Sequence, residues 1–423
     1  MYISGASKDT TYNILSGTNV KENNSWYADA KADTTQNVFT NNKLLKFVGA
    51  DGNSESKFSV TTVSQDAHDV YGDSLVAPDV VNAALLGTGA ATDFVNNAAN
   101  EDVNSSLAKQ ANALNSANSL SELGGVQHSL YAANNLFDNA VANHLADVKD
   151  TTLDKDVWAH YIHTKEDVDG LDLDGLTGAN YDAQYNGVVA GADLYHNDNT
   201  VAGLALTYMD GSISGNTDTA STKNNADYYG LSLYGRIRQG ETSYLGDISW
   251  LHGKNDLSQY NSGKEITGSV SSNAYSAGVR AEHDFNAGAG TLTPYVGIRY
   301  AHLDYGNYTD SLGIHHDSDN ANLWMVPLGL RYSQTMKSGS WSIKPLAEAG
   351  YLWTFGDRDG NDRVSLNGAA NTFGYDVSDG GSFYGRLGVE AEHGSMTYGI
   401  GYQYQKGSDV RSNLWSVALR YKF

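Results

Sequence analysis

The chain has 423 residues and carries 49 acidic against 27 basic side chains, a formal net charge of −22. This excess of acid argues against nucleic acid or anionic lipid headgroups as the main partner, because phosphate contacts depend on Lys and Arg. Cysteine is absent, which excludes disulfides, thiolate metal sites and cysteine catalysis. No run of 18 apolar residues predicts a transmembrane helix, but a mean hydropathy of −0.43 is compatible with a membrane β-barrel, whose strands are only half apolar.

The composition changes abruptly near residue 150, which predicts a domain boundary there. All of the arginines and all but five of the 28 tyrosines follow that point. Residues 1–75 are polar, with β-rich runs at 43–48 and 57–63 that flank Asp51-Gly52 as the strands of a hairpin. The first 15 residues lack the basic and apolar regions of a signal peptide, so the chain either stays in the cytoplasm or is the C-terminal piece of a longer exported one.

Residues 76–125 are rich in Ala, Asn and Leu and predict a partly helical linker. Asp79 is the expected cap of a helix that ends near Leu86. Further helical pieces are expected before Gly124-Gly125 ends the pattern, around Leu107, Leu114, Leu120 and Leu123.

Residues 126–150 contain the strongest helical pattern of the chain. Its narrow apolar stripe, set among Asn and small residues, consists of Leu130, Phe137, Val141 and Leu145. Taken alone, the segment favours an ordinary amphipathic helix docked on a soluble core.

Residues 151–423 change to a period of two, which predicts strands with one apolar and one polar face. Twelve such segments are counted, centred near Tyr161, Val188, Leu204, Leu231, Ile248, Val279, Val296, Leu328, Ala347, Leu387, Ile400 and Leu419. The segment around Val188 changes phase after Tyr185, which suggests a bulge at that point or an error in its assignment.

The connections between these segments alternate between short and long. Short turns are expected at 197–199, 239–241, 286–290, 336–340 and 393–395. Long connections are expected at 165–180, 210–226, 254–272, 304–320 and 355–381, and one of medium length at 406–411. An up-and-down barrel would place all short turns at one rim and all long loops at the other, as in outer-membrane barrels, and the even strand number fits that architecture.

The polar faces of the segments carry too many charges for a packed core. They predict a polar lumen with the apolar and aromatic faces toward lipid, whereas the alternative is a large soluble β-sandwich with charged outer faces. The expected lumen residues are Arg236, Arg280, Arg299, Arg331, Arg386, Glu282, Glu348 and Glu390.

A helix would fit inside such a barrel. Twelve strands leave a lumen of intermediate width, and a helix with its side chains is about 10–12 Å across. Residues 130–148 would span roughly 28 Å as a helix, close to the ~25 Å apolar band of outer-membrane barrels. The amide-rich surface of this segment suits a charged lumen, so we expect the helix to occupy the pore.

The C-terminal 300 or so residues resemble the translocator domain of type V autotransporters. The resemblance rests on Leu123-Gly124-Gly125 in the linker, the helix 126–149, Val157-Trp158-Ala159 at the start of the first strand, 187–193 (GVVAGAD) in the second, and the final strand that ends in Phe423. No single motif is specific, but the combination with twelve strands is.

This resemblance implies an all-β fold: a 12-stranded antiparallel transmembrane barrel with an α-helix in the lumen. It implies a passenger remnant at 1–75, which could be a β-helical stub, a linker at 76–125, a pore helix at 126–150 and the barrel at 151–423. The function it implies is export of the N-terminal passenger across the bacterial outer membrane and its anchoring at the cell surface. The implied partners are the lipid bilayer, the barrel-assembly machinery, periplasmic chaperones and the chain's own passenger, with no nucleic acid and a monomeric state. The expected assembly signal is the alternating set Val417, Leu419, Tyr421 and Phe423.

Some autotransporters cut themselves between two adjacent asparagines of the pore helix, and Asn134-Asn135 resembles that motif in position. The reaction requires the Asn134 side-chain amide to attack its own carbonyl near acidic groups. The flanking Phe137 and Asp138 depart from the family pattern, which has basic residues there, so polar contacts in the lumen are the favoured role of the pair. We therefore expect no enzyme activity, cofactor or metal.

Other interpretations are weaker. Outer-membrane phospholipases also have twelve strands, but no Ser and His pair is convincingly placed on neighbouring strands. The run 315–317 (HHD) could bind a metal, although a solvated loop is favoured. The acidic runs 167–174 and 357–362 miss the calcium-loop spacing, because neither has glycine at the sixth position, and both are interpreted as acidic surface loops. The second functional hypothesis is a passive channel with a removable helical plug.

Overall fold

The computed structural model describes residues 1–17, 25–100, 106–147, 155–171, 180–197 and 199–423. Its N-terminal elements, in chain order, are β1 (Thr11–Ser16), α1 (Ser25–Ala32), α2 (Thr34–Asn37), β2 (Leu45–Gly49), β3 (Lys57–Ser64), α3 (Ala67–Tyr71), a 3₁₀ turn (Gly72–Ser74), α4 (Pro78–Leu86), α5 (Ala90–Ala99), α6 (Leu107–Asn118), α7 (Leu120–Leu123) and α8 (Val126–Asp147).

The remaining elements are strands. They are β4 (Asp156–Asp169), β5 (Asn180–His196), β6 (Thr200–Asn216), β7 (Ala220–Gln239), β8 (Thr242–Asn261), β9 (Lys264–His283), β10 (Phe285–Ala287), β11 (Gly290–Tyr305), β12 (Tyr308–Thr309), β13 (His315–Ser318), β14 (Ala321–Ser333), β15 (Met336–Ser338), β16 (Trp341–Gly356), β17 (Asp359–Leu366), β18 (Ala369–Asp376), β19 (Gly381–His393), β20 (Met396–Lys406) and β21 (Val410–Lys422).

Twelve long strands close into one antiparallel barrel, as the alternating pattern predicts. Each of the twelve predicted centres lies in its own strand. Neighbours along the chain pair throughout, and the first and last strands, β4 and β21, pair from Asp156↔Lys422 to Val168↔Val410. The closure leaves no free edge in the barrel, so every strand has a hydrogen-bonded neighbour on both sides.

The outer surface of the barrel is apolar at mid-height and aromatic at both rims. Large exposed side chains of the band include Leu206, Leu231, Ile248, Val279, Val296, Leu328, Leu387, Ile400 and Val417. Aromatic ring pairs near the long-loop rim include Tyr208–Tyr229, Tyr300–Trp324 and Tyr402–Trp415, and pairs near the short-turn rim include Trp341–Tyr398 and Tyr421–Phe423. An apolar band between two aromatic girdles is the surface that a bilayer requires.

Two of the predicted long loops are strands instead. The stretches 210–226 and 254–272 continue the ladders of β6 to β9, leaving tight turns at 217–219 and 262–263. The strands β7, β8 and β9 have 20 residues each, whereas 9–11 tilted residues suffice to cross a bilayer. Their outer halves therefore project beyond the membrane. There the outward face is polar and the inward face mixes polar residues with buried apolar ones such as Leu257 and Ile266, so the pattern of an apolar outer face is lost from the sequence.

The bulge suggested near Tyr185 is elsewhere. Burial alternates without a break from Ala183 to Val189, with Tyr185 fully buried inside the barrel and Val188 44% exposed outside. The register of β5 against β6 shifts instead between Asp193 and Tyr195. The apparent change of phase arose because Tyr185 is a large aromatic residue that faces the lumen and not lipid.

Two connections at the long-loop rim fold together as a small sheet. The strands β12, β13, β17 and β18 pair in that order, which joins the connections 306–320 and 357–380. The run 315–317 thus belongs to a sheet strand and not to a solvated loop, because His316 is only 1% exposed. Among the residues that the structure describes, no group of His, Asp or Glu is arranged to hold a metal ion.

This loop sheet docks on the N-terminal part of the chain. The Asn371 side-chain oxygen accepts the backbone N–H groups of Asp79 and Val80 at 2.9 and 3.1 Å, which satisfies free donors at the start of α4. The Asn371 amide donates in turn to the Asp79 carboxylate at 3.1 Å. Asp79 is therefore not the cap that the sequence predicts: Ala77 precedes the helix without a side-chain cap, and a barrel loop supplies the missing acceptor.

The first 64 residues form a separate small core around a three-stranded sheet. The predicted hairpin is present as β2 and β3, and β1 pairs with the other side of β3. All three named strands are antiparallel, whereas a β-helix stacks parallel strands, so a β-helical stub is wrong for the described residues. None of the helices described is long and apolar enough to cross a membrane.

Candidate functional site

The helix α8 lies inside the barrel and packs its apolar stripe against one side of the wall. Leu130, Phe137, Val141 and Leu145 are all fully buried. Gly230 of β7 leaves the space for Phe137, since a Cβ atom at that glycine would lie 2.9 Å from the Phe137 ring. The helix has 22 residues and so spans about 33 Å, enough to cross the barrel from rim to rim.

The opposite face of α8 is lined with amides and borders a solvated crevice. Asn135, Asn139 and Asn143 are spaced by four residues and share this side of the helix. Gln403 and Gln405 of β20 face them, and adjoining cavities along the helix share Asn139 and Gln403. The helix is thus amphipathic within the lumen itself, held by apolar contacts on one side and accessible to solvent on the other.

A buried ion triad fixes the middle of the helix. Asp138 of α8 lies 2.8 Å from Arg299 of β11. Arg299 also donates two hydrogen bonds, of 2.6 and 2.8 Å, to Asp247 of β8. Ser276 of β9 donates to Asp138 at 2.9 Å, and Asn134 donates to the same carboxylate from one turn earlier at 2.9 Å. One arginine therefore joins the helix to two strands of the wall.

A second cluster holds the short-turn end of the helix. Asp147 is flanked by Arg331, Lys344 and Arg386, with charged atoms 3.9 to 4.0 Å apart. An acid at a helix C-terminus is repelled by the negative end of the helix dipole, so these cations offset an unfavourable position. Arg236 also donates to the free carbonyl of Leu145 at 3.3 Å.

The cations around Asp147 belong to an ordered row across three neighbouring strands. Arg331, Glu348 and Arg386 are register partners on β14, β16 and β19, so charges of opposite sign alternate. The Arg331 Nε atom donates to Glu348 at 3.1 Å, and Lys344 donates to its own register partner Glu390 at 3.2 Å. Asp147 thus brings a third carboxylate to three cations and balances their charge.

A third contact joins the last turn of α8 to the first two barrel strands. The His144 ring stacks on Trp158 with centroids 4.2 Å apart, and its Nε2 atom lies 3.0 Å from Asp193. Tyr234 donates to Asp193 at 2.7 Å and accepts from Trp158 at 2.8 Å. These four side chains are buried and hydrogen-bonded as a group.

The structure places the predicted lumen residues inside the barrel, in two groups. Arg236, Arg299, Arg331 and Arg386 contact the helix, and Arg386 donates to Asn143 at 2.8 Å. Arg280 and Glu282 instead pair with each other at 2.6 Å on β9, and Arg280 covers the ring of Tyr295. Glu348 accepts from Tyr295 and Arg331 within the wall.

Sequence reasoning missed the polar anchors on the helix, Asp138, His144 and Asp147. They follow one another at intervals of six and three residues. Charged or titratable side chains on a helix that is expected inside a lumen indicate contacts with the barrel wall, and this signal could have identified them. The predicted assembly residues lie on the outside of β21 and at the residue after it, and they are 44–62% exposed: Val417, Leu419, Tyr421 and Phe423.

A closed twelve-stranded barrel with a lipid-facing outer surface and a charged lumen filled by the preceding helix defines a plugged outer-membrane transport protein. The Autotransporter beta-domain family model matches residues 157–405, more than half of the chain. The chain belongs to this family.

Solved structures of similar fold agree. The translocator domain of the autotransporter NalP from Neisseria meningitidis aligns over 70% of this chain and 97% of that one, with 20% identity and a TM-score of 0.53. The transport unit of AIDA-I from Escherichia coli aligns over 70% and 98%, with 17% identity and a TM-score of 0.52. The protein YaiT of Escherichia coli K12 is 25% identical over 207 residues, which are 47% of this chain and 21% of that protein.

The chain therefore contains an autotransporter translocator barrel of the bacterial outer membrane. The predictions of fold, family, location and transport role are confirmed. The roles of individual residues and the division into domains remain predictions.

Proposed function

We propose that α8 stays in the lumen after export as both plug and covalent tether, and that no chemical step takes place in the pore. The observation that carries this proposal is the charge balance around Asp147. If the helix left, the cations Arg331, Lys344 and Arg386 would lose their contacts with Asp147 and face only Glu348 and Glu390, so the lumen would lose its local charge balance. The contacts of Asp138 with Arg299 and of His144 with Asp193 also hold α8 in the lumen.

The proposal divides the chain into a passenger remnant at 1–75, a linker at 76–125, the pore helix at 126–150 and the barrel at 151–423. The exposed apolar alternation of β21 would direct assembly, with the barrel-assembly machinery and periplasmic chaperones as partners, and the closed barrel would work as a monomer. A closed barrel supports the last point because it offers no unpaired strand to a second copy.

Self-cleavage between Asn134 and Asn135 is the alternative within the pore. The Asn134 amide nitrogen, which would have to attack its own carbonyl, donates instead to Asp138, and Asp138 is engaged by Arg299. The Asn134 side-chain oxygen has no hydrogen-bond partner among the described residues. This arrangement favours a structural contact over a nucleophile.

We expect the protein recovered from outer membranes to have the mass of one unbroken chain. Intact-mass measurement of the folded barrel in detergent tests this, with an Asn134→Ala variant as the standard that cannot be cut at this site. Two fragments that meet after Asn134 in the wild type, and their absence in the variant, would establish self-cleavage and overturn the tether.

A passive channel with a helical plug is the second candidate function. The crevice between the asparagine face of α8 and β20 favours it, because this side of the lumen is solvated. The two candidates differ in where residues 1–100 lie: outside the cell for the translocator and in the periplasm for the channel. The contact of α4 with a connection at the long-loop rim supports the translocator.

A further inference from the structure

A buried cluster of titratable groups lies at the long-loop mouth of the barrel, apart from the anchors of the pore helix. His316 of β13 lies between two carboxylates, with its Nδ1 atom 3.3 Å from Asp362 and its Nε2 atom 3.6 Å from Asp310. All three side chains are fully buried. Glu122 of α7 completes the cluster and is 6% exposed.

The cluster joins three parts of the molecule. The Glu122 Oε1 atom accepts from Gln127 of α8 at 3.0 Å, and the same Gln127 amide donates to Ser318 of the loop sheet at 3.3 Å. Ser318 donates in turn to Asp362 at 3.1 Å. Linker, pore helix and loop sheet therefore meet at one set of polar groups.

The cluster lies beyond the membrane band. Tyr308 stacks on His316 with ring centroids 4.5 Å apart, and it packs over Gly268 of β9. The neighbours of that glycine, Thr267 and Ser269, point outward and are polar and exposed, so lipid does not reach this height.

The charges of this cluster come closest to balance when His316 and Glu122 both carry a proton. Asp310 accepts two backbone N–H groups at 2.9 Å, and Asp362 accepts one at 3.1 Å, so backbone donors serve both carboxylates. A doubly protonated His316 can then face both. A charged Glu122 would leave the cluster with three negative charges against one positive charge, and its Oε2 atom has no hydrogen-bond partner among the described residues.

The acid–base properties agree with this count. Burial and repulsion from Asp362 raise the pKa of Glu122 from its usual 4.5 to about 8. Burial alone would lower the pKa of His316, but Asp310 and Asp362 outweigh it and raise the pKa from 6.5 to about 9. Burial also raises the pKa of Tyr308 and Tyr375, which stay neutral, and Tyr305 lies nearby on β11. Two exposed charges of the loop sheet are not part of the cluster, Asp317 and Arg363.

We propose that Glu122 and His316 form a proton-operated latch that keeps the loop sheet closed on the linker and over the outer end of α8. The latch is closed when both groups carry their protons. Loss of either proton places unbalanced negative charge in a dry site, and the sheet then separates from α7.

The direction of the pH dependence follows from linkage. A group whose pKa is higher in the closed state stabilises that state fully below its released pKa, and this stability is lost as pH rises toward the closed-state pKa. Glu122 loses its contribution between pH 4.5 and about 8, and His316 between 6.5 and about 9. Between pH 6.5 and 8 both groups titrate, so the opening constant should rise up to about a hundredfold per pH unit.

Hydrogen exchange of the full chain in lipid nanodiscs tests the latch. Peptides that cover 107–123, 306–320 and 357–380 report opening, after correction for the pH dependence of chemical exchange. We expect a slope of log opening constant against pH that approaches about 2 in the wild type and about 1 in Glu122→Gln, which removes one of the two titrating groups. His315→Gln, on the exposed side of the same strand, is the matched control and should behave as the wild type.

A wild-type slope of zero would overturn the latch, as would a Glu122→Gln slope equal to that of the wild type. Heat-modifiable gel migration confirms that each variant contains a folded barrel before exchange is measured. The latch rests on the proposed function, because Gln127 of α8 belongs to it and α8 must lie in the lumen. Intact mass tests the tether separately, so an unbroken chain with a wild-type slope of zero would overturn the latch alone.

Discussion

Replacing Arg299 with Gln should destabilise the barrel by about 3–5 kcal/mol, the usual cost of removing one partner from a buried ion pair. The loss is large because Arg299 serves two carboxylates at once, Asp138 on the helix and Asp247 on the wall, and both would be left buried without a cation. Urea unfolding of the chain refolded into lipid vesicles measures the change.

Arg411→Gln is the matched control for this experiment. Arg411 also makes two hydrogen bonds to one aspartate, Asp167, but that pair is about half exposed to solvent, so no measurable change is expected. Replacing Arg299, Asp138 and Asp247 together by amides should recover most of the lost stability, because no buried charge then remains. An Arg299→Gln variant that unfolds with the wild type would contradict the assigned role of the triad.

Phe137→Ala should cost about 3–5 kcal/mol, the range for removing a buried aromatic side chain from a core that cannot collapse. Phe137 is fully buried, and the wall opposite it is a rigid closed barrel with Gly230 at the contact, so the cavity would persist. The same urea titration gives the change in free energy of unfolding.

Leu136→Ala, one residue earlier on α8, is the control for packing. Leu136 is only partly buried and borders the solvated crevice, so its truncation should cost less than half as much. If both variants lost the same stability, the helix would not pack against one side of the barrel wall, and the assignment of its two faces would be wrong.

Much of the barrel could be predicted from the sequence, because its strands obey a strict physical rule. A strand between lipid and a polar lumen must alternate, and so each predicted centre lies in a strand and the arginines of the polar faces point inward. The alternation is lost where a strand no longer lies between lipid and the lumen, and it is obscured where an aromatic residue faces the lumen. Beyond the bilayer, the outward face of β7 to β9 is polar while the inward face keeps buried apolar residues such as Leu257 and Ile266, and in β5 Tyr185 is an aromatic residue on the lumen side.

The site could be predicted only in part. The stripe of Phe137 and its neighbours identifies the buried face of the helix, but the sequence does not fix how the helix is rotated or how deep it sits in the barrel. The pairing of Asp138 with Arg299, and of Asp147 with Arg386, depends on both quantities. The loop sheet was missed because its short strands are defined by contacts between segments far apart in the chain, such as His316 and Val364, which are 48 residues apart (364 − 316).

Protease shaving of intact cells tests the central claim most directly. The chain is expressed behind a signal peptide with an epitope before Met1, and heat-modifiable migration confirms a folded barrel. External protease should remove the epitope while a periplasmic control protein stays intact, because the N-terminal part has crossed the outer membrane. A folded barrel whose epitope remains protected would place residues 1–100 in the periplasm and contradict the translocator.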